Sequence, residues 1–517
     1  MLKKIIFKYF TSMLIVILGL INLPVYSKSV APNSKTRNVI LFIGDGMQKE
    51  HEIAASRYLT GIDNGLIWNQ FHYKTYVSTW NVDSYNRYAY SSQKPAFSYE
   101  KFEPLIGYNP TLGGDKPYPE TTIINDNYFL KPLLKNKEDK SAKVPATDSA
   151  ASATAIATGI KTETGNISWL PGDEDGAKIK TIAEIAREKN GASIGVVTTV
   201  PFNHATPAAF MSHNVDRNNY YTGKKGYKSL GIAEEIIKVT KPDVVIGGGN
   251  PNFDRKGYFN KKLYKELLLS DDYIISERLK RENGSLSLLN TSNIAFEHDK
   301  KLFGLYGGKN GNFESPIPVN SPGSPIVKRA TPENPSLAES TVAALNVLGK
   351  NHKGFFLMVE QGDIDWANHY NDYKSMIGCV WDLNEAVKAA INFIDKPGDD
   401  IDWNNTLIIV TADHANSYMR LNNAKKLCKG CLPKQRRYLG FIGKWVYPGK
   451  EVKYSLGNHT NELVSLYAKG SGSNLFKNYE GIWYPKTRII DNTHIFQVIG
   501  KSLGLSDIDS DLFSNKK

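Results

Sequence analysis

The sequence predicts an α/β chain built on a central, mostly parallel β-sheet flanked by helices on both faces. Three observations carry that expectation. Six short apolar runs are continuous rather than alternating, as strands buried on both faces read. Stretches of helical period separate them. Polar residues gather just beyond the carboxyl ends of several runs, which is where ligands sit in open sheets of this kind.

In chain order, the first 27 residues stand apart. "MLKKIIFKYFTSMLIVILGLINLPVYS" places Lys3, Lys4 and Lys8 before an apolar run and closes on Val25-Tyr26-Ser27. That is the pattern of a secretory signal peptide over residues 1–27. Residues 28–517 then read as one α/β domain with insertions. No later segment is long and apolar enough to span a bilayer, so no transmembrane segment is expected after signal cleavage. The expected location is exported, periplasmic or secreted.

The first run, "NVILFI" (38–43), leads into Gly44-Asp45-Gly46. Residues 76–145 break the alternation with Tyr, Asn, Pro and Gly and read as a long insertion, a lid or wall of the site. "VPATDSAASATAIATG" (144–159) then sets Asp148 and Ser149 before a series of very small side chains. It reads either as an N-capped helix packed closely on the sheet or as a nucleophile, Ser149, at a helix N-terminus. "KTIAEIAREK" (180–189) is helical in period and "ASIGVVTTV" (192–200) is a buried strand, followed by His204, Thr206 and Arg217. An arginine there is a surface ion pair or a planar fork for two phosphate oxygens.

"DVVIGGG" (243–249) reads as a strand and "AESTVAALNVLG" (338–349) as a helix. "FFLMVE" (355–360) ends in Glu360 and continues "QGDIDWANH". A helix starting near Ile364 puts Asp365 and His369 on one face. "TLIIVTA" (406–412) ends in Asp413-His414. Residues 415–455, with Cys428, Cys431 and a basic aromatic stretch, read as a second insertion. "GNHTN" supplies His459 ahead of the last run, "LVSLYAKG" (463–470).

Composition bounds the function. A chain of 517 residues with 41% hydrophobic and 22% charged residues is globular rather than disordered. Its net charge is +12, or +9 without the three leader lysines (12 − 3). A basic surface favours anionic substrates, while the absence of a basic-aromatic repeat argues against nucleic-acid docking. "LCKGC" could close a small disulfide loop in an oxidising compartment or contribute to a zinc site, the latter weakened by the lack of a second CxxC. Cys379 reads as a buried free thiol.

Singly, each polar strand ending is unremarkable; an Asp-His step is commonly a helix cap. Together they supply two groups of carboxylates and imidazoles. Zinc takes such ligands and keeps a position open. Two ions about 4 Å apart clamp the attacking and leaving oxygens of an in-line phosphoryl displacement. Ser149 is the candidate nucleophile, since coordination activates a hydroxyl.

The ordered set "VILFIGDGM", "TDSAASATA", "HATPAA" with Arg217, "VEQGDIDWANH", "TADH" and "GNHT" resembles the alkaline phosphatase family from about residue 38 to about 470. The resemblance implies an alkaline-phosphatase-like sheet with insertions, and a phosphate monoester hydrolase working through a phosphoserine at Ser149. It implies Asp365, His369 and His459 for one zinc, and Asp45, Asp413 and His414 for a second beside Ser149. His204, Thr206 and Glu360, with Asp45, would hold a third ion, normally magnesium. Arg217 would hold the phosphate, positioned by Asp148. Small-molecule phosphate esters are the implied partners, and a homodimer is consistent with the family. The chain departs from the family's enteric form at His204 and Trp366, where that form has Asp and Lys. An imidazole is a softer ligand than a carboxylate, which leaves the third ion open between magnesium, zinc and cobalt. The rival readings are a phosphodiesterase using the same two metals on nucleotides or phospholipids, and a non-catalytic metal- or phosphate-binding protein. The latter suits a chain that had lost its nucleophile or a ligand, and none is missing here.

Overall fold

Val39, Ile40, Leu41, Phe42 and Ile43 are each fully buried, as a strand covered on both faces must be. They belong to the centre of a large sheet in a computed structural model that describes residues 36–110, 146–223, 226–227, 229–438 and 444–505. The signal peptide expected over residues 1–27, and residues 111–145 of the first expected insertion, lie outside the described residues.

Ten strands make the sheet: Asn38–Gly44 (β1), Tyr73–Ser78 (β2), Ser193–Pro201 (β3), Val244–Gly248 (β4), Tyr273–Glu277 (β5), Lys301–Leu305 (β6), Phe355–Gln361 (β7), Thr406–Thr411 (β8), Val464–Gly470 (β9) and Ile489–Asp491 (β10). Their order is β10-β2-β9-β8-β1-β7-β3-β4-β6-β5. Within this sheet β9 runs antiparallel to both its neighbours, β8 and β2. The remaining pairs are parallel.

All six runs read as strands in the sequence are strands here, and the class is α/β as expected. The four strands that the sequence reading missed are β2, β5, β6 and β10, two at each end of the sheet. Position explains three of the four; β6 is buried, and its five residues with Lys301 and Gly304 make too short an apolar run to stand out. β2 alternates buried and exposed residues along part of its length, β5 is half covered, and β10 is three residues long. The stretch expected to be inserted from 76 overlaps the end of β2, so the chain leaves the sheet after Ser78.

Five helices bear on the site: Ser149–Thr158 (α1), Ile182–Asn190 (α2), Leu337–Leu348 (α3), Asp363–His369 (α4) and Tyr373–Ile394 (α5). The helices read at 180–189 and 338–349 correspond to α2 and α3. Thr181 and Glu184 form a capping box at the start of α2, and Gly191 at φ 69° ends it. Ser336 and Glu339 do the same for the start of α3.

Every residue of α1 is buried, which its Ala, Ser and Thr content permits. At its end Gly159 has φ +73°, and a Cβ there would come 2.6 Å from Phe496. Only glycine meets both demands.

The stretch after β2 builds a second, smaller core. Trp80, Tyr85 and Tyr108 pack with Leu463, Tyr484 and Ile489. Lys161 lies 4.2 Å over the Trp80 ring and pairs with Asp491 at 2.9 Å, both side chains buried. Residues 415–455 carry short two-stranded ribbons rather than sheet strands. Cys428 and Cys431 are joined by a disulfide, and Cys379 is a buried free thiol.

The loop that carries Arg217 is anchored by His213. Its Nε2 lies 3.2 Å from Glu184 of α2, and its Nδ1 lies 3.0 Å from Glu235. Burial opposes the imidazolium charge, but the two carboxylates outweigh it and raise the pKa from 6.5 to about 10. A folded-state value above the unfolded one means stability that is complete below pH 6.5 and lost as pH rises toward 10. His213→Gln should therefore flatten the decline of urea-unfolding stability between pH 7 and 9, by about 1–2 kcal/mol. An unchanged slope in the variant would contradict the charged assignment.

Candidate active site

β1, β7 and β8 lie side by side and parallel, so their carboxyl ends open on one edge of the sheet. Asp45 follows β1, Asp413 and His414 follow β8, and Glu360 is the penultimate residue of β7. Gly46 makes the approach possible. It has φ +68°, its N–H donates to Asp413 Oδ1 at 3.0 Å, and a Cβ there would lie 2.7 Å from Asp365 Oδ1.

α4 begins at Asp363, one residue before the expected Ile364, and puts Asp365 and His369 on one face as predicted. His369 Nε2 is 3.0 Å from Asp365 Oδ2, and His459 Nε2 is 3.3 Å from Asp365 Oδ1. The two imidazole Nε2 atoms are 3.3 Å apart. The second group is Asp45, Asp413 and His414. His414 Nε2 lies 3.4 Å from Asp45 Oδ1 and 3.3 Å from Asp413 Oδ2. In each group the potential ligand atoms lie within 4.8 Å of one another.

Ser149 joins them. Its Oγ is 3.2 Å from His414 Nε2, and the His414 ring stacks on His459 with centroids 3.7 Å apart. Asp148, rather than Ser149, is the N-cap of α1, accepting from Ala151 N at 3.0 Å. Its other oxygen accepts from Arg217 at 2.8 Å, the ion pair that the resemblance implied.

Hydrogen bonds set the tautomers. His459 Nδ1 donates to Thr147 O at 2.8 Å, and His369 Nδ1 donates to Gly457 O at 2.9 Å. A carbonyl accepts only, so each neutral ring keeps its Nε2 lone pair for a ligand. Sequence reading missed these carbonyls, since backbone acceptors leave no residue-type signal. It also missed Asn416, whose amide donates to Asp365 Oδ1 at 2.5 Å. Its place just after Asp413-His414 in "TADHAN" was the available clue.

His204 and Glu360 converge less tightly with Asp45, while the Thr206 hydroxyl acts on Glu360. His204 and Thr206 follow β3 and Glu360 lies on the adjacent β7, where Thr198 donates to its Oε2. Among the described residues, Asp45, His204 and Glu360 do not close into a third group as compact as the other two. The Trp366 ring stands 6.2 Å from that of His204.

Electrostatics tests whether the residues fit metal ions. Burial raises the pKa of Asp45 well above the ordinary carboxyl value, and the charges of Asp413, Asp365 and Glu360 raise it further. Burial likewise lifts Glu360 to about 8 and Asp413 to about 6. Asp365 goes the other way, because His369 and His459 outweigh its burial. Burial lowers His204 to about 3 and keeps His414 neutral. Asp45 Oδ1, Asp413 Oδ2, Glu360 Oε1 and His204 Nδ1 are buried without a hydrogen-bond partner. Buried carboxylate oxygens without donors, facing other carboxylates, are the signature of missing positive charge. The donor set fits divalent cations with nitrogen and oxygen preference.

A family model described as alkaline phosphatase matches residues 112–428, more than half of the chain. The chain belongs to the alkaline phosphatase family. Asp45 and His459 lie outside that span, and their convergence with its residues is a result of the geometry above. Alkaline phosphatase 4 of Bacillus subtilis is 31% identical over 354 residues, covering 68% of this chain and 67% of that protein. Alkaline phosphatase 3 of the same organism is 34% identical over 290 residues, covering 56% of this chain and about half, 53%, of that protein. Alkaline phosphatase from the Antarctic bacterium TAB5 shares the fold, with a TM-score of 0.53 at 21% identity over 92% of this chain and 100% of that one. A variant of the TAB5 family member has Mg bound in its M3 site.

Ions held by these groups should stabilise the fold. Chelation should lower the melting temperature and Zn²⁺ should restore it, with about 2.7 kcal/mol gained at a hundredfold excess over Kd. Elemental analysis and thermal denaturation before and after chelation measure this. Indifference of both to chelator would contradict the ligand assignment.

Proposed function

We propose that this chain is an exported, metal-dependent phosphatase that hydrolyses phosphate monoesters through a phosphoserine at Ser149. The observation that carries the reading is Ser149 Oγ at 3.2 Å from His414 Nε2, whose ring stacks on His459 and so joins the groups of Asp45 and Asp365. Asp365, His369 and His459 would hold one zinc, and Asp45, Asp413 and His414 a second. His204, Thr206 and Glu360 would contribute with Asp45 to a third ion, magnesium or a softer metal given the imidazole. Magnesium in the M3 site of the TAB5 variant supports a third ion of that kind. When bound, such ions lower the pKa of a coordinated hydroxyl and neutralise charge on the transferring phosphoryl group.

The chain's own residues do the rest. Ser149 gives up its hydroxyl proton to water and its Oγ forms the bond to phosphorus as the ester P–O bond breaks; the leaving alkoxide departs with the electron pair and takes that proton back from water, so the alcohol leaves neutral. Water then hydrolyses the phosphoserine. Arg217 spends one guanidinium nitrogen on Asp148 and turns the remainder of its fork to two non-bridging oxygens. Burial opposes the Arg217 charge, but Asp148 outweighs it and keeps the group cationic. Asp148 also caps α1, so the phosphate-binding arginine and the nucleophile share one support. A dianionic monoester matches that charge better than a diester. Export is supported by the leader-like residues 1–27.

Ser149→Ala should leave the melting temperature near that of the parent and reduce turnover of p-nitrophenyl phosphate at least about a thousandfold. The parent should prefer p-nitrophenyl phosphate over the bis(p-nitrophenyl) ester. Near-parental turnover in the alanine variant would remove the nucleophile, and a preference for the bis ester would turn the reading to a diesterase.

A further inference from the structure

The positive charge of this chain is concentrated in one segment. Residues 424–454 hold nine Lys or Arg and one Glu, a net +8 out of +12 for the whole chain. Among them, Arg436, Arg437 and Lys444 belong to or flank the two-stranded ribbon that pairs Arg436–Arg437 with Trp445–Val446. None of the three has an ion-pair partner among the described residues.

The ribbon is fastened at the site. Trp445 N donates to Tyr370 O at 3.0 Å, and Tyr370 follows His369 at the end of α4. Tyr438 N donates to Lys444 O at 2.8 Å, which sets this pair one step beyond Arg437 and Trp445. Alternation then puts Arg437 and Trp445 on one face of the ribbon, and Arg436 and Lys444 on the other. Arg437 is occupied by Trp445, its guanidinium 5.4 Å from the ring centroid.

On the other face, Lys444 Nζ rests against Gly457, where a Cβ would come within 1.9 Å of it. The Gly457 carbonyl is the acceptor that holds His369 Nδ1. The ammonium is therefore next to His369. A partly buried ammonium without an acid partner loses hydration and gains nothing in return. An arriving anion reverses that balance. The scissile phosphoryl group already has Arg217. His369 is the more open of the ligands around Asp365, with 37% of its side chain exposed against 18% for His459, so its side of the site faces outward.

We propose that Lys444, with Arg436 on the same face of the ribbon, forms a subsite for a second anionic group on the leaving-group side of the substrate. The favoured substrates are monoesters whose alcohol also carries a phosphate or carboxylate. This rests on the phosphatase reading above, and the experiment separates the two.

Metal-loaded full-length protein, K444A and K444R are compared in two ways. Calorimetry measures binding of methylenediphosphonate and methylphosphonate, which need no turnover. Kinetics measures kcat/KM for 4-carboxyphenyl phosphate and phenyl phosphate. The parent should prefer the diphosphonate about tenfold, the scale of one charge-assisted contact. K444A should lose most of that preference and K444R should keep it, with a parallel fall in the kinetic ratio. Equal losses on both members of each pair would make Lys444 a clamp on Gly457 and overturn the subsite, as would an unchanged ratio in K444A. A diphosphonate preference that K444A abolishes, in a protein without phosphatase activity, would support the subsite and overturn the reading of the reaction.

Discussion

Asp45, Glu360, Asp365 and Asp413 are buried side by side at one edge of the sheet, and the first of them feels the charge of the other three. Charges in a buried setting of low dielectric repel strongly. Partial answers are built in. His369 and His459 flank Asp365, Gly46 N–H serves Asp413, and Thr198 serves Glu360. These leave one oxygen each on Asp45, Asp413 and Glu360 with no donor at all. The rest of the architecture holds this unfavourable set in place, which is intelligible when divalent cations complete it.

The means of holding it is the middle of the sheet. β8, β1, β7 and β3 are consecutive neighbours, all parallel, and each delivers part of the set from its end or the loop beyond. Their residues are buried on both faces, so the strand ends cannot drift relative to one another without disturbing the largest core of the molecule. α1 meets the same edge with its N-terminus. Its small side chains let the backbone come close enough for Ser152 to donate to Asp413 O, one residue from His414. The spacing of Ser149 from the imidazoles is therefore set by side chains that are absent as much as by those present.

Much of this was legible in the sequence, for physical reasons that differ by element. Central strands announced themselves because burial on both faces forces unbroken apolar runs, and "NVILFI" and "TLIIVTA" are of that kind. Outer strands such as β5 and β10 were silent because an edge tolerates polar residues and short lengths. The Asp365 and His369 pair was readable from helical spacing, and the ordered motifs named their companions. What could not be read were contributions of the main chain, namely Thr147 O and Gly457 O behind the imidazoles. The compactness of the third set was not readable either. Among the described residues, His204 with Asp45 and Glu360 does not close into a group as compact as the other two.

β9 runs against its neighbours, and this explains an asymmetry in how the ligands are supplied. Asp45 and the Asp413-His414 pair come after their strands, whereas His459 comes before its own. Reversal brings the start of β9 to the end of β8, with Tyr467 opposite Val410. The intervening segment must then depart from and return to the same rim, and Ala415–Asn416 indeed zips to His459–Thr460 at its base. Such a closed stem fixes both ends of the excursion at the rim, and the excursion touches the site again where Gly457 O meets His369 and Trp445 N meets Tyr370 O. Lengthening the excursion costs only a slowly growing closure entropy. The fold can thus vary the outer reach of the excursion, and with it the molecules it admits, so long as Gly457 stays in place behind His369 and Trp445 stays on Tyr370 O.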